Sequence, residues 1–222
     1  MEDSVLKRNP LFRNFTEAEL RQLLCSKQVY TATHKKHSMI LSAGETTDVF
    51  GLILSGAVTV EQYDLFGNAN MLTHLAAGDI FAEAYACIPE EKLMVSVLAE
   101  TVSEILFIDM KKILNSPISE FSYKDKLIAN MLILSSQKNL TLSRKIFHTS
   151  AKTIRDRVLS YLSDQAVLHK SEDFSIPLNR QQLANYLNVE RSALSNELGK
   201  MSRDGLLQVS KNRFILKTGQ HF

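Results

Sequence analysis

The stretch 179-NRQQLANYLNVERSALSNELGKM-201 decides how the C-terminal part of this chain folds. Its leucines form two pairs with four-residue spacing, namely Leu183 with Leu187 and Leu194 with Leu198. That spacing places both members of a pair on one face of a helix. Asn188 stands between the pairs, and asparagine tolerates the left-handed backbone of a tight turn. The sequence therefore predicts two helices joined by a tight turn.

The start of the first helix carries a capping signal. Asn179 is followed three residues later by Gln182, and this pair can satisfy each other's backbone donors in a capping box. Ala184 is small enough to let the second helix cross closely over the first. Together these features predict a helix-turn-helix motif.

The second helix presents polar side chains away from its leucines. Arginine, serine and asparagine suit base edges and phosphates, and the methyl group of Ala193 can meet a thymine methyl. The first turns of such a helix are the part that enters the major groove. The competing interpretation is an ordinary amphipathic pair whose polar face is only solvated.

The segment 204-DGLLQVSKNRFILK-217 favours the DNA-binding interpretation. Its apolar runs Leu206–Val209 and Phe214–Leu216 are separated by residues that suit a hairpin turn, so it predicts the wing of a winged helix. The wing carries Lys211, Arg213 and Lys217, which we expect to meet phosphates. The complete set of predicted DNA contacts is Arg180, Arg191, Ser192, Ala193, Ser195, Asn196, Lys200, Lys211 and Arg213.

The distribution of charge along the sequence also favours DNA binding by the C-terminal part. From Lys145 onward there are twelve basic and seven acidic residues, a net charge of +5 that leaves −3 for the rest of the total of +2. A weakly basic C-terminal third on a mildly acidic body fits neutralisation of a DNA backbone, although the excess is modest.

The whole chain sets limits on the class of protein. Its 222 residues suffice for two domains with separate cores. No apolar run reaches the roughly 18 residues that span a bilayer, and 1-MEDSVLKRNPLF-12 lacks the apolar stretch of a signal peptide. Cys25 and Cys87 are far apart, which suggests a reducing compartment. We expect a cytoplasmic protein without a membrane partner.

The N-terminal half shows the pattern of an antiparallel β protein. In 50-FGLILSGAVTVEQYDLFGNANMLTHLAAGDIFAE-83, glycines separate short runs in which apolar residues alternate. This predicts a barrel or sandwich, and 93-LMVSVLAETVSEILFIDM-110 adds two strands. Before the barrel, Thr16 and Glu19 are expected to cap a short helix.

A long helix is predicted from about Ile118 to Leu142. Its middle, Leu127–Leu134, is apolar almost all round, which one buried stripe would not require. A second copy of the helix is the economical partner, with Met131 or Leu134 in the seam. The alternative is a helix central to one monomeric core.

An antiparallel jelly-roll barrel, a long helix and a C-terminal winged helix, in that order, resemble the CRP/FNR superfamily of bacterial transcription regulators, an α+β architecture. The resemblance spans essentially the full chain and is strongest in 180-RQQLANYLNVERSALSNELGKMSRDGLL-207, in 153-TIRDRVLSYL-162 and in the barrel glycines, notably Gly44, Gly56 and 78-GDIFAE-83. It implies a barrel domain at 1–117, a dimerisation helix and hinge at 118–145, and a winged helix at 146–222.

The resemblance also implies a homodimer on a two-fold symmetric double-stranded DNA site, with RNA polymerase as a further partner and no enzymatic activity. Arg191 matches the position at which members commonly read a guanine. Ser192 replaces a frequent glutamate and Asn196 a frequent arginine, so the half-site should differ from those of the best-known members.

The expected effector pocket departs from the cyclic nucleotide binders of this family. Those resemble one another in a Gly-Glu pair followed about ten residues later by Arg and Ser or Thr, because a guanidinium pairs the cyclic phosphate. Here the pair is Ala82-Glu83, and Leu93 and Met94 replace the arginine and the hydroxyl. Lys92 should point to the opposite face of its strand. A pocket formed by Glu83, Leu93, Met94 and Met131 is therefore expected to reject cyclic AMP.

Other sensing chemistries fit less well. Two scattered cysteines cannot hold an iron–sulfur cluster, which needs about four. His74 could bind haem, 34-HKKH-37 could hold a metal, and Cys87 could act as a thiol switch, but each has a simpler structural explanation. A cupin-like enzyme would need more histidines in the barrel. No catalytic residue, metal or resident cofactor is expected. The effector is expected to be an apolar or aromatic small molecule; the alternatives are a constitutive regulator, a cyclic-nucleotide or haem sensor, and a sensor module for a protein partner.

Overall fold

The computed structural model describes residues 2–63, 69–117 and 122–217. The chain divides into two compact units, Met1–Ser136 and Gln137–Phe222, and each is described by itself. Within the described residues no helix is both long and apolar enough to cross a membrane.

The first unit contains two four-stranded antiparallel sheets, as the alternating runs predict. Their strand orders are β1-β8-β3-β6 and β2-β7-β4-β5, which is the predicted jelly-roll barrel. The strands are β1 (Val29–His34), β2 (Met39–Leu41), β3 (Val49–Ser55), β4 (Ala57–Tyr63), β5 (Ala69–Ala76), β6 (Ile80–Phe81), β7 (Ser96–Ala99) and β8 (Ser103–Asp109).

Strand β3 is buried on both faces. Ile53 belongs to an apolar cluster that also contains Phe81 and Phe107. Leu52 and Leu54, which point the other way, belong to a second cluster formed with the helices of the unit. Gly56 turns the chain out of β3 with φ +85°, and a Cβ there would lie 2.5 Å from the carbonyl oxygen of Val102, so only glycine fits.

Short helices surround the barrel. They are α1 (Glu2–Arg8), a 3₁₀ turn at Pro10–Phe12, α2 (Glu17–Leu24), α3 (Glu83–Cys87) and α4 (Met110–Asn115). The predicted capping box at the start of α2 is confirmed: the Thr16 backbone N–H donates to Glu19 at 2.7 Å, and the Glu19 N–H donates to the Thr16 hydroxyl at 3.2 Å.

The long helix α5 spans Lys124–Thr149, so it ends seven residues beyond the predicted end at Leu142; the predicted start falls on residues 118–121, which lie outside the described ones. Leu127 and Met131 are buried in the helix-side cluster of the first unit, and Leu134 packs against it. The prediction that Met131 lies in a helix–helix seam was therefore wrong, whereas for Leu134, which is only partly buried, it stays a prediction. These positions share the face that the unit uses for its own core.

The second unit is the predicted winged helix. It comprises α6 (Ile154–His169), β9 (Asp173–Ser175), α7 (Arg180–Tyr186), α8 (Arg191–Arg203), β10 (Leu207–Ser210) and β11 (Arg213–Leu216). Leu183, Leu194 and Leu198 are buried in its core, as the leucine spacing predicts. The hairpin β10–β11 gains a third strand, β9, which the sequence pattern did not reveal.

Candidate nucleic-acid interface

The turn between α7 and α8 has the predicted local geometry. The Gln182 N–H donates to the Asn179 side chain at 2.9 Å and the Asn179 N–H donates back to the Gln182 side chain at 2.8 Å. Asn188 adopts a left-handed conformation with φ +52°. The capping box and the asparagine thus fix where α7 begins and how the chain reverses into α8.

Arg157 on α6 holds this turn from behind, a role that sequence reasoning missed. Its guanidinium donates to the carbonyl oxygen of Ala151 at 2.8 Å and to those of Leu187 and Asn188 at 3.2 Å each. Three carbonyls at a chain reversal are satisfied by one planar cation. The Arg157 side chain therefore positions the turn rather than contacting a ligand.

Arg155, two residues earlier, fixes α8 itself. It donates to Glu197 at 2.8 Å and to Asp204 at 2.7 Å, one carboxylate within α8 and one at its C-terminal end. These ion pairs tie α8 to α6 and leave the opposite face of α8 uncovered.

The uncovered face of α8 presents the predicted reading side chains. Arg191, Ser192, Ser195, Asn196 and Lys200 are exposed, and Ala193 is partly buried. These side chains differ in whether they already have a polar partner within the protein. Among the described residues, Arg191 and Asn196 form no side-chain hydrogen bond or ion pair, so both are available to a ligand.

The two serines are already engaged. The Ser195 hydroxyl donates to the Arg191 carbonyl oxygen at 2.9 Å, within its own helix. The Ser192 hydroxyl and backbone N–H both donate to the carboxylate of Glu190, which caps α8 and was not singled out from the sequence. These hydrogen bonds hold the pKa of Glu190 below its usual range, so an anion stands beside Arg191.

A cleft of about 640 Å³ opens beside the start of α8. Its walls include Arg180 from α7, Arg191 from α8 and Lys211 from the wing turn, together with the amide side chains of Asn179 and Asn212. Three cations around one open cleft suit an oxyanion such as a backbone phosphate, while the Asn212 amide already donates to the Ile176 carbonyl oxygen at 2.9 Å.

Arg180 is the most constrained of the three cations. It donates to the Lys211 carbonyl oxygen at 3.2 Å, and its guanidinium carbon lies 5.9 Å from the centre of the Phe214 ring. Burial lowers the pKa of Arg180, but a guanidinium stays charged near neutral pH. Its position connects the wing to α7.

Arg213 requires a correction. It was expected to be available to phosphates, yet it donates to both carboxylate oxygens of Asp173, at 2.7 and 2.5 Å. This fork pairs β11 with β9 across the sheet, at the position where Arg213 faces Ser175 in the strand register. The missing β9 in the sequence interpretation explains the error. Lys211 and Lys217 remain exposed.

The barrel residues of the expected effector pocket do not share one environment. Glu83 and Leu93 are buried, at 9% and 3% exposure, whereas Met94 is 68% exposed. Leu93 is held by backbone hydrogen bonds with Gly44 and Glu45, both 2.8 Å. Met94 therefore does not line an interior site.

Met131 packs in the helix-side cluster rather than beside Leu93, so the expected four-residue pocket is not assembled as predicted. Ala82, at the position of the expected glycine, adopts a left-handed conformation with φ +62°, which glycine adopts more readily than alanine. Lys92 is exposed while Leu93 is buried, but the two do not belong to a strand as predicted: Lys92 forms only an isolated bridge with Thr46, and β7 begins at Ser96.

The environments of the candidate histidines match the sequence predictions only in part. His74 is exposed and pairs with Glu100 at 2.5 Å. His34 was expected in a solvated strand with His37, but it ends β1, and its ring packs edge-on to Phe107 at 5.9 Å. Desolvation lowers the pKa of His34. In the described part of the chain, no three His, Cys, Asp or Glu side chains group closely enough to hold a metal ion.

Comparison with known proteins agrees with this geometry. A family model described as "cyclic nucleotide-binding domain" matches residues 32–116, and one described as "Crp-like helix-turn-helix domain" matches residues 156–218. The transcriptional activator protein FnrL of Cereibacter sphaeroides is 20% identical over 199 residues, covering 85% of this chain and 77% of FnrL.

A solved structure supports the fold. The c-di-GMP-responsive global regulator CLP of Xanthomonas campestris aligns with a TM-score of 0.52 at 16% identity, over 91% of this chain and 100% of that one. Because it joins a cyclic nucleotide-binding domain to a Crp-like helix-turn-helix domain in this order, the chain belongs to the CRP/FNR superfamily, whose members are DNA-binding transcription regulators rather than enzymes.

Proposed function

We propose that this regulator acts as a cytoplasmic homodimer on a two-fold symmetric double-stranded DNA site, with α8 in the major groove and RNA polymerase as a further partner. Residues 1–117 sense, 118–145 dimerise and 146–222 read DNA in this proposal. The observation that carries it is the cleft of Arg180, Arg191 and Lys211 beside the uncovered face of α8. Phosphate contacts orient α8, and its exposed side chains read bases.

Arg191 and Asn196 are the proposed base readers, because neither has a competing partner among the described residues. Arginine suits the O6 and N7 acceptors of guanine, and asparagine suits adenine. Ser192 is a reader only if its hydroxyl leaves Glu190. Lys200 and Lys211 serve as phosphate contacts whose effect does not depend on sequence.

Exposed apolar side chains along α5 support dimerisation. Leu140, Ile146 and Phe147 are 60–69% exposed, and Leu132 and Ile133 are 66% and 48% exposed. Three of these residues, Ile133, Leu140 and Phe147, recur every seven residues, as one position of a coiled-coil seam does, and the exposed small residues Ala129, Ser136 and Ser143 alternate with them at the other position.

An effector other than a cyclic nucleotide is proposed for the barrel. A cyclic phosphate needs a counter-charge, and the buried Leu93 and exposed Met94 offer neither a cation nor a hydroxyl there. The side chains of Ile53, Phe81 and Phe107 form one apolar cluster inside the barrel, so a molecule that enters there would contact apolar and aromatic groups.

The proposal is tested with the full chain and labelled promoter duplexes. Static light scattering should give twice the 25.0 kDa chain mass, and fluorescence anisotropy should show binding that weakens steeply with salt as phosphate counterions are released. A 25.0 kDa species, or binding that does not respond to salt, would contradict it.

A further inference from the structure

A second cavity lies within the second unit, away from the cationic cleft. It measures about 440 Å³, within the roughly 300–1,000 Å³ of small-molecule sites. Residues from the C-terminal turns of α5, from α6 and from α7 line it, together with Pro177 and Leu178. None of these is a proposed DNA contact.

The floor of the cavity is aromatic. The rings of His148, Tyr161 and Tyr186 pack against one another with centroid separations of 5.2–5.9 Å. The His148 Nδ1 lies 3.0 Å from the Tyr186 hydroxyl. Val167 and Leu168 are 60% and 67% exposed at the cavity, which adds uncovered apolar surface to its wall. This combination suits a large apolar or aromatic side chain.

The rim carries one charge of each sign. Arg144 forms no hydrogen bond or ion pair in the described part of the chain. Asp164 has a contact with His148 Nε2 at 3.7 Å, and no ion pair joins it to Arg144 among the described residues. Burial is the main cause that lowers the pKa of His148; Asp164 opposes this shift and Arg144 adds to it. A neutral imidazole leaves the carboxylate charge uncompensated.

The aromatic floor and the exposed apolar wall of the cavity suit an apolar side chain. The two charges at its rim, which do not pair with each other, suit the two charged groups of a zwitterion. From this arrangement we infer a binding site for a free α-amino acid with a large apolar or aromatic side chain. Arg144 takes its carboxylate, Asp164 takes its ammonium group, and the side chain lies against Tyr161 and Tyr186. The site is distinct from the barrel and from the DNA-facing cleft.

The site is compatible with the proposed dimer. At about 100° per residue, Thr141 and His148 lie on a face of α5 roughly 100° away from the seam of Leu140, Ser143 and Phe147, and Arg144 lies between that face and the seam, about 40° from Leu140. A partner helix on the seam therefore leaves Thr141 and His148 uncovered and runs beside Arg144 at the edge of the seam. Because Tyr186 belongs to α7, an occupant would contact the first helix of the DNA-reading motif.

The test is calorimetric titration of the full chain, without DNA, using L-phenylalanine, L-tyrosine and L-leucine as probes. Phenethylamine and 3-phenylpropionate lack the carboxylate and the ammonium group respectively. Each should bind on the order of tenfold or more weakly than L-phenylalanine, because each forgoes one charge-assisted contact. Arg144→Gln and Asp164→Asn should lose affinity for L-phenylalanine by a similar factor.

Lys152→Gln is the matched control, since it removes an exposed charge that does not line the cavity, and it should bind like the unmutated chain. Circular dichroism verifies that each variant is folded. Equal affinity for L-phenylalanine and both analogues would overturn the inference, as would no heat with any of the three amino acids at millimolar concentration. Because DNA is absent, neither result bears on the proposed DNA binding.

Discussion

Replacing Arg191 by alanine is predicted to weaken binding to the specific DNA site without destabilising the protein. The Arg191 side chain is exposed and has no polar partner in the described part of the chain, so its removal breaks no contact of the folded state. Alanine is also the best helix former. The loss therefore falls on binding, at about 1–3 kcal/mol for a bidentate contact to guanine.

In terms of affinity this is roughly a 5- to 150-fold increase in Kd at the specific site. The assay is fluorescence anisotropy with the selected site, with the same site changed at one base pair, and with random duplex. Arg191→Ala should bind the first two with nearly equal affinity, because the side chain that distinguishes them is gone.

Lys211→Gln is the matched control for a cation in the same cleft. It should weaken all duplexes alike and reduce the slope of log K against log salt by about 0.9 for one lost phosphate contact. If Arg191→Ala instead weakens specific and random DNA by the same factor, Arg191 is a phosphate contact and the reading assignment fails.

Three further predictions concern the assembly, the barrel and the pH response. Phe147→Asp should convert the dimer to a monomer in light scattering, because it buries an unpaired charge in the seam. Leu168 is about as exposed but does not belong to α5, so Leu168→Asp should leave the mass unchanged. A dimeric Phe147→Asp variant would refute the seam. Calorimetry with cyclic AMP and cyclic GMP should show no binding at micromolar concentration, and a low-micromolar Kd for either would refute the barrel interpretation. Because burial holds the pKa of His148 below 6.5, the unfolded chain takes up its proton first as pH falls. The contribution of neutral His148 to stability is therefore fully present above about pH 6.5 and declines below it. The Tm should drop toward pH 5.5 less in His148→Gln than in the unmutated chain. Identical curves of Tm against pH would refute this role of His148.

Most of the fold could be predicted from local patterns in the sequence. The capping boxes at Asn179 and Thr16 and the left-handed Asn188 involve partners within three residues, or the backbone of one residue, so their chemistry is visible in the sequence. The alternating runs around Gly56 likewise predict a barrel without knowledge of tertiary contacts.

Long-range ion pairs and side-chain hydrogen bonds were not predictable from such patterns. Arg155, Arg157 and Arg213 all counted as generic positive charge, yet each is fixed by a partner between 30 and 49 residues away. Of these, only Arg213 had been assigned to DNA, and its pairing with Asp173 depends on the unpredicted strand β9. Met131 failed for a related reason, because a helix segment that is apolar all round does not reveal which face meets the barrel.

The most direct test is selection of DNA by the full chain from a pool of random 30-base-pair duplexes. The account predicts enrichment of an inverted repeat whose half-site centres are one helical turn apart, about 10–10.5 base pairs, since a symmetric dimer would place its two α8 helices in successive major grooves. Each half-site should contain a guanine whose selection disappears with Arg191→Ala. Failure to enrich any DNA, or enrichment of a single unrepeated half-site, would contradict the account.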